Sequence, residues 1–302
     1  MSAAAQSAGA ADFDARVVAT FGRQSLIEDD SGAVWTATRR GRKGDVVVGD
    51  LVRARASAPG LARIESVGPR ASLLFRADEF RTKELAANID RVLVVYAARP
   101  TFNRWFIWKT LVAAYVADIE AVVIKNKTDL DDEGEAGRFR EALERLGVAT
   151  LAVSAKTDAE RTLAALAAIA RGRASLLVGQ SGMGKSTLLN LLVPDAGART
   201  REYSQRLDLG KQTTTASRRF TLPGGGSIVD TPGFQEFGLA HVPVAQLAES
   251  FPEFHPALGH CRFQDCRHLT EPGCAVRALV GAGSVAADRY AFYRSLTEAR
   301  PL

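Results

Sequence analysis

The sequence predicts an α/β protein in which a parallel sheet covered by helices lies between two smaller units. Between residues 89 and 230, short apolar runs alternate with helical patterns, which is typical of parallel strands joined by helices. Short strands separated by turn residues precede this region, and an irregular, then helical segment with all three cysteines follows it. We therefore expect a disordered tail at 1–14, a barrel at 15–80, a central domain at 81–237 and a metal-binding, mainly helical C-terminal domain at 238–302.

Composition indicates a globular chain that does not cross a membrane. The 302 residues are 46% hydrophobic, and no run reaches the roughly 18 apolar residues of a membrane-spanning helix. The N-terminal stretch lacks the basic start and apolar core of a secretory signal, so we expect a cytoplasmic protein. We also expect the protein to act as a monomer. A net charge of +5 favours an anionic partner, with nucleic acid as the first candidate.

The N-terminal strands predict a small barrel like the OB-fold. Apolar runs at 17–20, 34–37, 46–48 and 61–64 are separated by residues that form turns. About five strands in about 60 residues suit such a barrel. A basic loop at 39–43 (RRGRK) lies between two strands, where we expect contact with RNA; the alternative is a solvated surface loop.

Residues 179–186 (GQSGMGKS) fit the phosphate-binding P-loop pattern between an apolar strand and a helical run. Glycines let backbone N–H groups converge on phosphate oxygens at the start of a helix, whose dipole adds positive charge. We expect Lys185 to contact the β- and γ-phosphates and Ser186 to bind magnesium. The predicted nucleotide-binding residues here are Gly179, Gln180, Ser181, Gly182, Met183, Gly184, Lys185, Ser186 and Thr187.

A second phosphate motif, Asp-Thr-Pro-Gly at 230–233, follows another apolar strand. Alone, this tetrapeptide could be a simple turn. Downstream of a P-loop it predicts the segment called switch II, in which Asp230 holds the magnesium shell and the Gly233 N–H senses the γ-phosphate.

Two motifs that precede the P-loop predict guanine as the base. The first has the spacing Asn-Lys-x-Asp and the second is Ser-Ala-Lys, each directly after a buried strand. Their residues are Asn126, Lys127 and Asp129, then Ser154, Ala155 and Lys156. A carboxylate at Asp129 accepts hydrogen bonds from N1–H and the exocyclic amine of guanine, which adenine cannot supply, so the site is expected to take GTP or GDP.

The order of these motifs is permuted. Ordinary GTPases have the P-loop and switches first and the base motifs last, whereas here the base motifs come first. A parallel sheet tolerates this because domain termini often lie close together and can be joined. The new chain opening falls directly after switch II, which consequently becomes the covalent link to the C-terminal domain.

The cysteines predict a structural zinc site. Cys261, Cys266, His268 and Cys274 have the spacing Cys-x4-Cys-x-His-x5-Cys, and three thiolates with one imidazole suit tetrahedral zinc with no open position. His255 and His260 are the alternatives for the fourth ligand.

A barrel, a permuted GTPase domain and a Cys3His cluster in this order resemble the RsgA family, also called YjeQ. The resemblance extends from about residue 16 to the C-terminal helix and includes the run Thr213, Thr214 and Thr215, which corresponds to switch I. It implies a bacterial, late-acting assembly factor that binds rRNA of the small ribosomal subunit near the decoding region. Such factors hydrolyse GTP slowly alone and faster on the subunit, and then leave.

The catalytic machinery departs from that family at one position. Its members usually carry His before the switch I threonines, whereas this chain has Gln212, which can orient a water but cannot accept its proton as His could. After Gly233 comes Phe234 instead of the Gln of many GTPases. Gln212 is therefore the first candidate for positioning the water and Gln235 the second, while magnesium binding by Thr213 or by Thr214 stays open.

Two other functions compete with a GTPase. An ATPase or small-molecule kinase is disfavoured by Asn126 to Asp129. A zinc-containing RNA-binding protein with a degenerate nucleotide pocket is disfavoured by the intact Lys185, Ser186 and Asp230. Nucleotide competition would exclude the first, and measurable turnover would exclude the second.

Overall fold

The computed structural model describes residues 12–21, 24–39, 46–77, 82–130, 134–197, 217–231, 234 and 236–298. Residues 1–11 of the tail expected at 1–14 lie outside these residues, as does most of the basic loop at 39–43, whereas residues 12–14 belong to the first strand, so the expected tail is three residues too long. The predicted switch residues Gln212, Thr213, Thr214, Gly233 and Gln235 also lie outside the described residues.

The first five strands form the predicted barrel. They are β1 (Asp12–Phe21), β2 (Gln24–Asp29), β3 (Val34–Arg39), β4 (Leu51–Ala58) and β5 (Leu61–Val67). Strand β1 pairs with both β2 and β4, and β3 runs parallel to β5, so the order β1-β2-β3-β5-β4-β1 closes on itself. Alternate residues such as Val17, Ile27, Val52 and Ile64 point inward and form the barrel's own core.

The expected strand at 46–48 is wrong. Within it, Val48 forms only an isolated bridge, with Ala86, and the next strand begins at Leu51. The Asp50 carboxylate accepts the Val47 N–H at 2.9 Å, which holds the segment in a turn. Gly49 has a φ of +94°, and a Cβ there would lie 2.0 Å from the Ala87 carbonyl oxygen, so the turn requires glycine.

A two-stranded hairpin, β6 (Leu73–Ala77) and β7 (Thr82–Ala87), joins the barrel to the central domain. The central strands are β8 (Arg91–Ala97), β9 (Glu120–Asn126), β10 (Ala149–Ala152), β11 (Ala174–Gly179), β12 (Arg218–Thr221) and β13 (Ser227–Asp230). The central helices are α1 (Arg104–Val116), α2 (Glu135–Arg145), α3 (Ala159–Ala170) and α4 (Lys185–Leu192), with a 3₁₀ turn at Thr128–Leu130.

The central sheet has the predicted α/β architecture. Its strands lie in the order β10-β9-β8-β11-β13-β12, with neighbours parallel except that β12 is antiparallel to β13. Strand β12 also pairs with β1, through Ala19 and Arg218, so barrel and central strands belong to one 11-stranded sheet. The P-loop follows β11, between the strands that precede the base motifs and the strand that ends at Asp230.

The C-terminal part is mainly helical, as expected. It contains α5 (Val244–Glu249), a 3₁₀ helix (Pro252–Ala257), α6 (Ala275–Gly281) and α7 (Ala287–Glu298). Its buried aromatic residues belong to the same hydrophobic cluster as the central sheet, and Phe292 of α7 packs on Trp105 and Trp108 of α1. No helix in the described ranges is long and apolar enough to cross a membrane.

Candidate nucleotide and metal sites

The P-loop backbone has the conformation that its glycines allow. Gly184 has a φ of +96°, and a Cβ there would lie 2.3 Å from the Asn126 Nδ2 atom. At Gly179, a Cβ would lie 2.4 Å from the Val95 carbonyl oxygen. Only a residue without a side chain fits either position, because both contacts are far closer than van der Waals distance. The loop is thereby held against β8 and the first base motif.

The P-loop side chains divide into a buried and an exposed set. Met183 is buried below the loop, whereas Ser181, Ser186 and Thr187 are exposed. The half-buried Gln180 side chain accepts a hydrogen bond from the Asn103 N–H at 2.6 Å. Asn103 also caps α1 by accepting the Trp105 N–H at 2.8 Å, so the P-loop is fixed to the start of that helix.

Lys185 is folded back onto its own loop. Its Nζ atom donates to the carbonyl oxygens of Gly179 and Gln180, the latter at 2.8 Å. Burial lowers the pKa of Lys185, and the charge of Asp230 partly opposes that change. These carbonyl contacts hold the ammonium in the site until a stronger acceptor such as phosphate replaces them.

Asp230 ends β13 in a largely buried position. Burial raises the pKa of its carboxyl group, and the charges of Lys185 and Arg218 oppose that rise. The adjacent Thr231 is buried, and its hydroxyl has no hydrogen-bond partner among the described residues. A hydrated cation would give the Thr231 hydroxyl a polar partner and would favour the charged form of Asp230, so these oxygen atoms fit magnesium.

The first base motif connects the P-loop to the second base motif through hydrogen bonds. Asn126 is 1% exposed, donates to the Met183 carbonyl oxygen at 3.0 Å and accepts the Ala155 N–H at 3.3 Å. Lys127, whose φ is +58°, extends over the loop and donates to the Gly182 carbonyl oxygen at 2.6 Å. The two predicted motifs and the P-loop therefore form one hydrogen-bonded cluster.

Asp129 lies at the exposed edge of this cluster. The Ser154 hydroxyl donates to its carboxylate, and the Thr157 hydroxyl donates to Ser154 at 2.7 Å. Ser154 and Ala155 are buried, whereas Lys156 is exposed. The buried hydroxyl of Ser154 thus fixes the orientation of the carboxylate. Its solvent-exposed side stays accessible, so it can accept hydrogen bonds from a base.

Sequence reasoning missed Asn103, Thr157 and Arg218 as neighbours of the site. Asn103 follows the Arg99–Pro100 segment and has no motif around it. Thr157 lies one position beyond the Ser-Ala-Lys motif, so its hydroxyl was a detectable signal. Arg218 opens β12, a strand too short and polar to be detected by its apolar pattern.

The Cys3His residues come together at one point. The ligand atoms of Cys261, Cys266, His268 and Cys274 all lie within 4.8 Å of one another. The Cys261 and Cys274 sulfurs are 3.9 Å apart, and each is 3.5 Å from His268 Nδ1. A tetrahedral ion bound at ordinary zinc distances separates such donor atoms by about 3.5–3.8 Å. The cluster can therefore hold a metal ion.

The alternative fourth ligands lie elsewhere. His255 and His260 are exposed, and the His255 Nε2 atom is 2.8 Å from the Glu249 carbonyl oxygen. His268 is buried, with a φ of +61°, and its carbonyl oxygen accepts the Tyr290 hydroxyl at 2.7 Å. Burial raises the pKa of the Cys266 thiol to about 12, so a cation is what would favour its thiolate.

The loop around the cluster is organised by Glu271. Its carboxylate accepts the N–H groups of Arg267 at 2.9 Å, Leu269 at 2.8 Å and Thr270 at 3.0 Å. Burial raises the pKa of Glu271, but these backbone donors outweigh that effect and lower it overall. The sulfurs are supported as well, because the Ala275 N–H donates to Cys261 at 3.4 Å.

Comparison with known proteins identifies relatives along nearly the whole chain. A family model described as RsgA GTPase matches residues 67–240. A small ribosomal subunit biogenesis GTPase RsgA from Bordetella pertussis is 48% identical over 282 residues, covering 92% of this chain and 93% of that protein. Its counterpart from Paraburkholderia xenovorans is 44% identical over 287 residues, covering 93% and 91% respectively.

Solved structures have the same fold. YjeQ from Thermotoga maritima superimposes with a TM-score of 0.72 at 30% identity, covering 96% of this chain and 98% of that one. YloQ, described as a circularly permuted GTPase, has a TM-score of 0.68 at 22% identity and covers 99% and 100%. The predicted permuted architecture is therefore confirmed.

Proposed function

Since the chain belongs to the RsgA GTPase family, we propose that it hydrolyses GTP to GDP and phosphate during biogenesis of the small ribosomal subunit. The observation that carries this proposal is the position of Asn126. One buried amide joins the P-loop to the Ser-Ala-Lys loop, so the phosphate and base motifs are assembled as a single site. A pocket that no longer binds nucleotide would not require this arrangement.

In the proposed complex, the base and phosphates are bound by different motifs. Asp129 accepts hydrogen bonds from the guanine edge, and Ser154 keeps its carboxylate oriented. Backbone N–H groups of the P-loop bind the phosphates at the start of α4. Lys185 exchanges its carbonyl acceptors for the β- and γ-phosphates.

Magnesium would be held by Ser186 and by Asp230, with Thr213 or Thr214 as the further candidate. When bound, the ion neutralises phosphate charge that develops during hydrolysis. Ser186 is exposed at the start of α4, whereas Asp230 is largely buried and close enough to Lys185 for their charges to act on each other.

Hydrolysis requires a water oxygen to attack the γ-phosphorus while the bond to the β,γ-bridging oxygen breaks and GDP leaves. We assign the orientation of that water to Gln212, with Gln235 as the alternative. The residue at the usual position of a catalytic Gln, Phe234, packs on Phe106 and Phe237 at ring distances of 6.2 and 4.6 Å. Phe234 therefore anchors the end of switch II and leaves the polar role to another residue.

Zinc is the metal that the Cys3His set supports best. Three soft thiolates and one imidazole leave no oxygen ligand, which disfavours magnesium and calcium. The backbone N–H groups that donate to the sulfurs complete the environment of a closed, structural site.

The two outer units supply the proposed contacts with the small subunit and its rRNA. The chain is basic, and the loop at 39–43 gives the barrel a cationic segment suited to phosphate. Arg262 of the metal-binding loop is exposed and its guanidinium lies 5.5 Å from the centre of the exposed Phe263 ring. Unpaired bases stack on aromatic side chains and on arginine guanidinium planes, so this exposed pair suits contact with RNA.

The proposed function is tested by measuring GTP turnover with and without isolated small ribosomal subunits. We expect slow hydrolysis by the protein alone, faster hydrolysis with subunits, and competition by GDP but not by ADP. Lys185→Ala serves as the inactive control. Absence of turnover in the intact protein, with RNA binding retained, would favour the alternative of a zinc-containing RNA-binding protein.

A further inference from the structure

One side of α1 holds the segment that follows switch II. Phe106 and Lys109 lie three positions apart on this helix, so their side chains are neighbours on its surface. The Phe234 ring packs against Phe106 at a centroid distance of 6.2 Å. The Glu236 carboxylate pairs with the Lys109 Nζ atom at 2.9 Å. Two adjacent attachments, one apolar and one ionic, therefore fix this segment to α1.

Lys109 belongs to none of the predicted nucleotide or metal motifs. Its side chain is 20% exposed, so most of it is packed within the protein, whereas the Glu236 side chain is 51% exposed. A lysine whose aliphatic stem is packed keeps its ammonium group within a small region. The ion pair consequently holds Glu236 at a defined place beside α1.

The attachment to α1 reaches both sides of Gly233. The Phe234 N–H donates to the Thr231 carbonyl oxygen at 3.2 Å. Thr231 directly follows Asp230, the last residue of β13. The described residues on either side of positions 232 and 233 are thus joined to each other, one beside the sheet and the other on α1. Any contact of the Gly233 N–H with the γ-phosphate therefore depends on these attachments.

The same helix is also joined to the P-loop. At the start of α1, the Asn103 N–H donates to the Gln180 side chain at 2.6 Å. Lys109 lies six residues further along the chain, roughly 9 Å by the helical rise. One helix thus holds the loop that binds the phosphates and, about two turns away, the segment after switch II. Loss of the attachment at Lys109 would release switch II and leave the P-loop in place.

We propose that Lys109 is a positioning residue for GTP hydrolysis and acts through its ion pair with Glu236. The pair keeps switch II where its backbone meets the γ-phosphate. This inference rests on the proposed GTPase function. An exposed ion pair contributes little to overall stability, but a small displacement of a group that contacts the reacting phosphate slows the reaction strongly. Since GDP lacks the γ-phosphate, its affinity should not depend on Lys109.

The test uses the full-length protein in single-turnover hydrolysis of GTP. We expect Lys109→Glu to slow hydrolysis by about fivefold or more, because two like charges replace an ion pair that can itself be worth about fivefold. Glu236→Lys should have the same effect from the more exposed side, so the result does not depend on the folding of one variant. The double variant, which exchanges the two charges, should recover the parent rate to within about twofold.

Titrations with GDP and with a non-hydrolysable GTP analogue separate positioning from a general structural role. Both single variants should bind GDP as the parent does and bind the analogue about two- to fivefold more weakly. The matched control is Arg140→Glu on α2, where Arg140 pairs with Glu144 at 3.2 Å. It changes the net charge as much as Lys109→Glu does and should keep the turnover of the parent protein.

Three results would overturn the proposal. The first is hydrolysis at the parent rate in both single variants. The second is a double variant as slow as the slower single variant, because the ion pair would then not be the cause. The third is an equal loss of affinity for GDP and for the GTP analogue, which would indicate a general disturbance of the nucleotide site.

Absence of turnover in the parent protein would contradict the proposed function instead. The role of Lys109 is then decided by the ratio of the affinities for the GTP analogue and for GDP. A ratio that Lys109→Glu leaves unchanged overturns the proposal in that case as well.

Discussion

The Asp129 carboxylate accepts a hydrogen bond from Ser154, whose hydroxyl is in turn held by Thr157. Together these hydroxyls orient the Asp129 carboxylate toward the position expected for the base. We expect Asp129→Asn to weaken GTP binding by about 1–3 kcal/mol, roughly 5- to 150-fold. The reason is that the amide nitrogen of Asn, itself a donor, would face the donor groups of guanine. Relative affinity for xanthine nucleotides should improve.

Competition binding with GTP and xanthosine triphosphate measures both effects. Asp158→Asn is the matched control, because Asp158 precedes α3 without capping it through its side chain. An unchanged guanine preference in Asp129→Asn would mean that the base is bound by other residues.

The water-positioning role of Gln212 gives the second prediction. Gln212→Ala should lower GTP turnover by roughly 10- to 100-fold, the range that a misplaced reactant can cost, and should leave GDP affinity nearly unchanged. Single-turnover kinetics together with GDP titration separate the two effects. If Gln235→Ala lowers turnover and Gln212→Ala does not, the assignment passes to Gln235.

At the residue scale, motifs identified the groups with chemistry but not the groups that hold them. The contact between Asn103 and Gln180 joins residues 77 positions apart, and that between Asn126 and Met183 joins residues 57 positions apart. Neither follows from spacing, because each depends on how β8, β9 and β11 lie side by side.

Among the elements, the loop that carries the Cys3His cluster could hold a metal ion. We expect one zinc per chain by elemental analysis, and we expect His268→Ala to abolish stoichiometric zinc. His255→Ala and His260→Ala are the controls, since both side chains are exposed and lie outside the cluster. Loss of zinc in either control with retention in His268→Ala would reassign the fourth ligand.

A buried ion pair joins α7 to the 3₁₀ helix at Pro252–Ala257. The Arg289 and Glu253 side chains are 8% and 7% exposed, so Arg289→Met leaves an unpaired carboxylate inside the interface. Breaking such a pair costs about 3–5 kcal/mol in the free energy of unfolding. Arg294→Met, which breaks the exposed pair with Glu298, should cost at most about 1 kcal/mol.

Urea unfolding monitored by tryptophan fluorescence compares these two variants directly, because Trp108 contacts Arg289. Equal losses would show that the interface is stabilised by its aromatic residues alone.

Long elements and apolar strands were predictable from the sequence, and short polar strands were not. The helical patterns that the sequence shows at 105–117 and 137–146 correspond to α1 (Arg104–Val116) and α2 (Glu135–Arg145). Strand β12 (Arg218–Thr221) has only Phe220 as a large apolar residue, and β6 and β7 form a hairpin whose residues alternate weakly. These strands form because they pair with neighbouring strands, and the residue pattern of one segment does not reveal that pairing.

In the whole molecule, the segment after switch II contacts the central domain and the hairpin that joins this domain to the barrel. Glu236 pairs with Lys109 of α1 at 2.9 Å, and the Gly238 N–H donates to the Phe75 carbonyl oxygen of β6 at 2.9 Å. The chain then continues into α5 and the metal-binding part. A change at Gly233 would therefore reach both outer units by a short route.

We accordingly expect the GTP-bound form to bind small ribosomal subunits more tightly than the GDP-bound form. Losing one of two tethered contacts can lower avidity by a factor on the order of 10². Cosedimentation with isolated subunits, in GDP and in a non-hydrolysable GTP analogue at fixed salt, gives the two dissociation constants. Equal constants would rule out coupling through the permuted linkage.

The division of the chain at residues 80 and 237 stays a prediction. Composition and motif order indicate three units, yet one apolar cluster extends from the hairpin through the central sheet into α7. Such continuity depends on tertiary packing, so composition and motif order could not predict it.

The pairing of β12 with β1 has a practical consequence for anyone who shortens this chain. A protein that begins at β8 would keep the central sheet but lose the barrel strand that covers β12. Its outermost strand would then present unpaired backbone groups to other molecules, and uncovered edges of this kind promote self-association. We therefore expect a chain shortened in this way to self-associate more readily than the full chain.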